Sequence, residues 1–176
     1  MKKPALSRVL PVAKDPRLEY YWTKVHEFGG KYEKFNWPSV EILLNFVATY
    51  DVLMGHFSKR MSAYGLSPAM FNVLMILSRG SEKKFKQHDI SELLLVSRAN
   101  VTGLVKTLVR KRLVKREADP KDRRAWLVKI TEKGKNLLEA YLPRHYEEIY
   151  RIFLGFKASE KKELSRLFYK LKNGVR

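Results

Sequence analysis

The side chains best suited to chemistry lie along one predicted helix that begins after Ser97. Apolar residues recur there at i, i+3, i+4 and i+7, which predicts an amphipathic helix with Ser97 as its N-cap: Val101, Leu104, Val105 and Leu108. The face turned away from them carries a polar and basic set: Arg98, Asn100, Thr102, Gly103, Lys106 and Arg110. Arginine pairs with O6 and N7 of guanine and asparagine with N6 and N7 of adenine, so this face suits contacts with DNA bases near its N-terminus and with phosphates further along. A helix face that is merely solvated has the same composition. The neighbouring sequence is needed to distinguish it from a DNA-binding face.

A second basic cluster follows this helix. The 30 residues from Lys106 to Lys135 contain 12 Lys and Arg against four Asp and Glu, in a chain whose net charge is +18. An excess of one sign favours a polyanion partner. The segment contains Asp119-Pro120 between two strand-like runs, Leu113 to Ala118 and Ala125 to Ile130. Because a membrane-surface segment is typically a long amphipathic helix, this hairpin favours nucleic acid over an anionic membrane.

The remaining elements are predicted to be helical. Periodicity and breaking residues indicate helices from Asp15-Pro16 to Gly29-Gly30, from Val40 to Tyr64-Gly65, from Ser67-Pro68 to Gly80, from Gln87 to Leu95, from Thr131 past Phe153 with a bend at Pro143, and from Ser159 onward. In the second strand, Trp126, Val128 and Ile130 should share one face. The predicted division is an arm with an extra helix (1–39), a long linking helix (40–64), a DNA-binding domain (66–131) and C-terminal helices (132–176).

Four strings in this order resemble the MarR family of transcription regulators: Gly65-Leu66-Ser67, Ser97 to Val105 (SRANVTGLV), Asp119 to Arg124 (DPKDRR) and Leu127 to Gly134 (LVKITEKG). The resemblance covers residues 40 to 172. It implies a mainly α fold with a small β-hairpin, a winged helix-turn-helix flanked by N- and C-terminal dimerisation helices, and a homodimer on a pseudo-palindromic DNA operator. It also implies that Asp122 orients Arg124 in the minor groove while Lys121 and Arg123 approach phosphates, with Ser97 and Gly103 in the same interface.

The resemblance further implies a small aromatic or anionic effector. Five residues are candidates for its pocket, although each residue of this kind is more often part of a filled core: Tyr50, His56, Phe57, Met70 and Leu74. Six aromatic residues of the terminal segments suit either a dimer interface or an intramolecular core: Trp22, Phe28, Trp37, Phe153, Phe156 and Phe168. The chain departs from the family pattern at Arg112, where relatives usually have glycine. If that position requires positive φ, arginine costs on the order of 1 kcal/mol relative to glycine.

Enzymatic and metal-binding motifs are absent from the sequence. There is no cysteine, and the four histidines, at positions 26, 56, 88 and 145, form no His-Glu-x-x-His pair. Neither a Walker A motif nor Gly-x-Gly-x-x-Gly occurs, so we expect no enzyme activity and no cofactor. Without a run of 18 apolar residues or an apolar leader, we expect a cytoplasmic protein. Two alternatives stay open: a basic architectural protein that coats DNA without an effector, and an RNA-binding winged helix.

Overall fold

The computed structural model describes residues 16–79, 85–94, 97–120 and 126–175, without the side chains of residues 16–19 and 98. Within these ranges the helices are α1 (Pro16–Gly29), α2 (Trp37–Ser62), α3 (Pro68–Arg79), α4 (Gln87–Leu94), α5 (Arg98–Arg110), α6 (Glu132–Ile152) and α7 (Ala158–Gly174). The strands are β1 (Phe85–Lys86), β2 (Val114–Ala118) and β3 (Trp126–Ile130). The predicted mainly helical fold with a small hairpin is confirmed. The chain divides into two compact units, Met1–Arg60 and Met61–Arg176.

An aromatic cluster joins α1 to the start of α2 in the first unit. The indole ring of Trp37 meets that of Trp22 edge-on at 6.1 Å between centroids and the His26 ring at 4.9 Å. Gly29, at the end of α1, is buried under Phe35, whose ring would lie 2.1 Å from a Cβ at that position. The predicted helix break at Gly29 is therefore also a close packing contact.

Helix α2 begins three residues before the predicted start at Val40. The Oδ1 atom of Asn36 accepts a hydrogen bond from the backbone N–H of Ser39 at 3.1 Å, as an N-cap residue does. Pro38 is the second residue of the helix, where a backbone N–H has no partner within the helix. The proline is thus part of the first turn, and the predicted start at Val40 is three residues too late.

Helix α2 exposes much of its apolar surface. Among the described helices it is the one whose length and composition would suit a membrane span, with a mean hydropathy of 1.2 over 18 residues, none of them buried. Its large exposed apolar residues are Ile42, Leu43, Phe46, Val47, Tyr50 and Val52. A contiguous apolar surface of this kind is typical of a site that interacts with a protein or a membrane.

The core of the second unit lies between α3, α4, α5 and the sheet. The residues that are completely buried there are Val73, Leu74, Ile90, Val101, Val105, Leu108 and Val128. Helix α3 is therefore the central helix of this unit. Burial of this many aliphatic side chains is what fixes α5 against α3 and α4.

The sheet has three strands in the order β1-β3-β2, all antiparallel. Strand β1 is not predicted from the sequence; it pairs Phe85 with Val128 and Lys86 with Leu127. The predicted alternation of β3 is only partly correct, because Trp126 is exposed while Leu127 is 6% exposed. Leu127 and Val128 point to opposite faces of β3 and both are buried, so the strand is covered on both faces at this point.

The two last helices differ in burial. The Oγ1 atom of Thr131 accepts from the backbone N–H of Gly134 at 3.1 Å and caps α6, which continues through Pro143 to Ile152. Glu160 accepts from the backbone N–H of Lys157 at 2.7 Å at the start of α7. No residue in the described range of α7 is buried.

Candidate nucleic-acid interface

Helix α5 is fixed by its cap and by its apolar face. Ser97 has extended backbone angles, and its hydroxyl oxygen accepts from the backbone N–H of Asn100 at 3.3 Å. Val101, Val105 and Leu108 are completely buried. The predicted core-facing residues are therefore confirmed, with Leu104 half-buried.

The opposite face of α5 is open to solvent. Its exposed residues are Asn100, Thr102, Gly103, Lys106 and Arg110; the side chain of Arg98 lies outside the described part of the chain. A Cβ built on Gly103 would meet no atom within 4 Å, so packing inside the chain does not require glycine there. A bare backbone on this face does allow a partner to approach closely.

Gln87 links α4 to this face. The Thr102 hydroxyl donates to Oε1 of Gln87 at 3.1 Å. Thr102 therefore holds the two helices together at the same point where we predicted a contact with DNA. Gln87 is not predictable as part of this face, because nothing in a linear sequence indicates that side chains 15 residues apart will form a hydrogen bond.

The wing, the hairpin formed by β2 and β3, is anchored to β1 at its base. Nζ of Lys86 lies 3.1 Å from Oδ2 of Asp119, whose side chain is only 9% exposed. A buried carboxylate requires such a partner, because an unpaired buried charge is strongly destabilising. Asp119 was interpreted as a turn residue, and only the pairing of β1 with β3 reveals this role. The predicted tip residues Lys121, Asp122, Arg123 and Arg124 lie outside the described residues.

The end of α5 confirms the suspected strain at Arg112. Its φ is +60°, the left-handed region that favours glycine. Its N–H donates to the Val109 carbonyl at 2.8 Å, and that of Leu113 donates to the Leu108 carbonyl at 3.0 Å. These two bonds form a Schellman motif with Arg112 in the position usually taken by glycine. The turn that the family builds with glycine is thus built here with arginine.

The proposed effector residues fall into two groups. In the first unit, Tyr50 is exposed, and the rings of His56 and Phe57 meet edge-on at 5.7 Å. In the second unit, Met70 and Leu74 are buried in the core. The effector site stays a prediction. Among the described residues there is no cluster of His, Asp or Glu suited to a metal ion.

Comparisons with known proteins identify the family. The MarR family profile matches residues 64–125. An uncharacterized HTH-type transcriptional regulator of Bacillus subtilis (strain 168), YkoM, is 34% identical over 140 residues, which cover 77% of this chain and 90% of that protein. The chain belongs to the MarR family. This MarR-family protein is accordingly a DNA-binding transcription regulator and not an enzyme.

Solved structures of the MarR family share the fold. The MepR–DNA complex of S. aureus has a TM-score of 0.70 at 19% identity and covers 74% of this chain and 95% of that one. CouR from Rhodococcus jostii RHA1, bound to p-coumaroyl-CoA, has a TM-score of 0.65 at 23% identity and covers 76% of this chain and 92% of that one. The fold of this MarR-family regulator is therefore the winged helix-turn-helix.

Proposed function

We propose that this regulator is a homodimeric repressor that binds a pseudo-palindromic operator, with α5 of each subunit in the major groove. The observation that carries the proposal is the capped, firmly packed helix whose polar face is left open. Arg98 and Asn100 would contact base edges, while Lys106 and Arg110 would contact phosphates. Several matched relatives are named transcriptional repressors, which supports repression.

Base contacts and phosphate contacts are separable by mutation. We expect Asn100→Ala to reduce discrimination at one position of each half-site by roughly 1 to 3 kcal/mol. Lys106→Ala should weaken binding to every sequence alike, because a phosphate contact carries no sequence information. The measurement is fluorescence anisotropy with duplexes selected from a random pool and with scrambled duplexes, at one salt concentration. Lys161→Ala on α7 is the matched control; an equal loss on both duplexes for Asn100→Ala would exclude base contact.

The homodimer is supported by apolar surface on the terminal helices. On α7, Leu167 is 46% exposed, Leu171 is 43% exposed and Tyr169 is 64% exposed. Helix α2 in the first unit also exposes large apolar residues. A partner subunit that covers these surfaces would bury the residues that one chain leaves in water.

Sedimentation velocity tests the dimer. We expect Leu167→Glu combined with Leu171→Glu to give a monomer, whereas Lys170→Glu on the same helix should leave the dimer intact. Removal of residues 1–36 should also weaken association. If the Leu167→Glu, Leu171→Glu double variant sediments like the parent, α7 is not part of the interface. If the protein without residues 1–36 is still a dimer, the N-terminal segment is not part of it.

Release from DNA by a small aromatic or anionic effector is part of the same proposal. The bound p-coumaroyl-CoA in the CouR structure supports an aromatic ligand. Aromatic carboxylates should then lower the affinity for the operator, and DNA should lower the affinity for the ligand by the same factor. The test is a titration of the preformed complex, followed by the same titration on Tyr50→Ala and Phe57→Ala; an effect that both variants keep would place the ligand elsewhere.

The net charge of +18 favours one competing function. A basic architectural protein would coat DNA with little sequence preference, because counterion release drives binding to any duplex. A regulator should bind its operator at least about a thousandfold more tightly than a scrambled duplex at the same salt concentration. A ratio near one would establish the architectural function, and tighter binding to duplex RNA would establish an RNA-binding one.

A further inference from the structure

A cavity of about 380 Å³, open to solvent, lies in the second unit; its described lining includes Arg110, assigned above to phosphate contacts, but none of the residues assigned to base contacts. It lies where the turn after α2, the end of α5 and the start of α6 meet. Its described lining consists of Tyr64, Gly65, Arg110, Lys111, Arg112, Leu113, Lys133 and Leu137. Four of these eight residues are cationic and none is acidic, so the cavity has the charge of an anion site.

Two left-handed turns form the walls of this cavity. Gly65 has a φ of +66° and Arg112 a φ of +60°. At the first turn, the N–H of Leu66 donates to the Met61 carbonyl at 3.1 Å and that of Gly65 to the Ser62 carbonyl at 2.9 Å, the same Schellman pattern that ends α5. Both helices therefore stop sharply at the cavity, and their capping bonds hold its walls in place.

The lysines lie across this space. A Cβ placed on Gly65 would be 3.5 Å from Nζ of Lys111. Nζ of Lys133 donates to the backbone carbonyl of Lys111 at 3.1 Å, which uses one of its three hydrogens. The ammonium group of Lys133 is thus held at the cavity with donors to spare.

Helix capping alone does not account for this charge. The C-terminus of a helix carries about −0.5 of an elementary charge, so two such ends offset only about one of the four cations and leave roughly +3. None of the four cations forms an ion pair with an acidic residue in the described part of the chain. The neighbouring carboxylate of Glu132 pairs with Lys135 at 2.7 Å instead.

We propose that this cavity binds a small phosphate-bearing anion. Arg110 and Arg112 offer planar guanidinium groups that suit phosphate oxygens, and Lys111 and Lys133 add two point charges. A phosphate ester is favoured over a single carboxylate because its charge matches more of the unpaired cations. Leu137, which is half-buried, adds apolar surface for the organic part of such a molecule. The site requires neither the dimer nor the operator of the proposed function.

Calorimetric titration of the full chain with inorganic pyrophosphate at constant ionic strength tests this proposal. We expect one saturable site per chain, and a loss of affinity of at least tenfold in Lys111→Gln combined with Lys133→Gln. The control, Lys129→Gln combined with Lys161→Gln, changes the net charge equally at exposed positions outside the cavity and should alter affinity less than twofold. Equal losses in the two double variants, or binding without saturation, would show non-specific attraction and overturn the proposal.

A second measurement uses the unaltered protein and separates the possible sources of phosphate. In ¹⁵N spectra, pyrophosphate should shift the backbone amides of Gly65, Arg112 and Gly134 more than those on the exposed face of α5. If the cavity instead binds a phosphate of the DNA backbone, two results are expected. The Lys111→Gln, Lys133→Gln double variant should lose affinity for duplex DNA, and pyrophosphate should not change the chemical shifts of these amides in the unaltered protein. Those results would overturn the assignment of the cavity to a small molecule.

Discussion

The Oγ1 atom of Thr131 lies 2.8 Å from the carbonyl oxygen of Arg112 and 3.0 Å from that of Leu113. The hydroxyl group has one hydrogen, which the two carbonyl oxygens share. The same oxygen accepts from the backbone N–H of Gly134. One hydroxyl group therefore joins the strained end of α5 to the N-terminus of α6.

Replacing Arg112 with glycine should stabilise the protein. Because Arg112 has a φ of +60°, Arg112→Gly removes a left-handed conformation that costs on the order of 1 kcal/mol for a residue with a Cβ. The free energy of unfolding in urea should rise by about that amount. Lys111→Gly is the matched control: its φ of −78° is ordinary, and glycine there should bring no gain. An Arg112→Gly variant no more stable than the parent would contradict the strain.

Replacing Gly134 with alanine should destabilise the protein. A Cβ at this position would lie 2.2 Å from the carbonyl oxygen of Leu113, which is backbone and cannot rotate away. We expect Gly134→Ala to lower the free energy of unfolding by about 1 to 3 kcal/mol. Gly103→Ala, in open space on α5, should instead raise it by roughly 0.5 to 1 kcal/mol. Thermal unfolding of the two variants checks both signs, and a Gly134→Ala protein as stable as the parent would refute the close contact.

Acid should destabilise the protein through His145. Burial lowers the pKa of His145 below its ordinary value, and its ring packs at 4.8 Å from Phe71 and 5.5 Å from Tyr141. As pH falls below about 6.5, the unfolded chain therefore takes up the proton first. Titration of His145 therefore lowers the free energy of unfolding progressively as the pH falls below about 6.5, and it has no such effect well above that pH.

The measurement is urea unfolding at pH 7.5 and 5.5. His145→Phe keeps an aromatic ring and should reduce the loss of stability between these two pH values. If His145→Phe loses as much stability as the parent, another group is responsible for the acid sensitivity.

The wing tip yields a prediction from the family resemblance alone, because residues 121–125 lie outside the described ranges. Arg124→Ala should reduce affinity most on operators with A·T-rich flanks, whose minor grooves are narrow and strongly negative. Asp122→Ala removes a negative charge, so electrostatics alone predicts tighter binding, whereas loss of an orienting partner predicts weaker binding.

A double-mutant cycle on DNA affinity separates these two effects. If Asp122 acts through Arg124, Asp122→Ala should cost nothing in the Arg124→Ala background. Tighter binding of Asp122→Ala on its own would make the tip merely a basic loop.

Local signals predicted most of the fold. The spacing of Val101, Val105 and Leu108 identified the buried face of α5, and Ser97 identified its first turn, because each depends on residues within one or two turns of a helix. The left-handed conformation at Arg112 was anticipated only by comparison with the family's glycine. Arginine itself does not indicate positive φ.

Contacts between distant segments were not predictable from one sequence. Strand β1 has two residues and acquires its structure only from pairing with β3, so no periodicity marks Phe85 and Lys86. The burial of Asp119 and the contact of Gln87 with Thr102 depend on that same packing. The cavity is a further case, since Gly65 and Lys133 are brought together only by the folded ends of three helices.

Strand β1 also has a consequence for the geometry of bound DNA. Its pairing with Leu127 and Val128 attaches the base of the wing directly to the residue that precedes α4, so β3 and the helix-turn-helix are tied together there. In the proposed complex the distance between the major-groove and minor-groove contacts is then set by the protein. One extra base pair between those contacts would turn the duplex by about 35° and lengthen it by about 3.4 Å. The regulator would therefore select operators by the local twist of the duplex as well as by their bases.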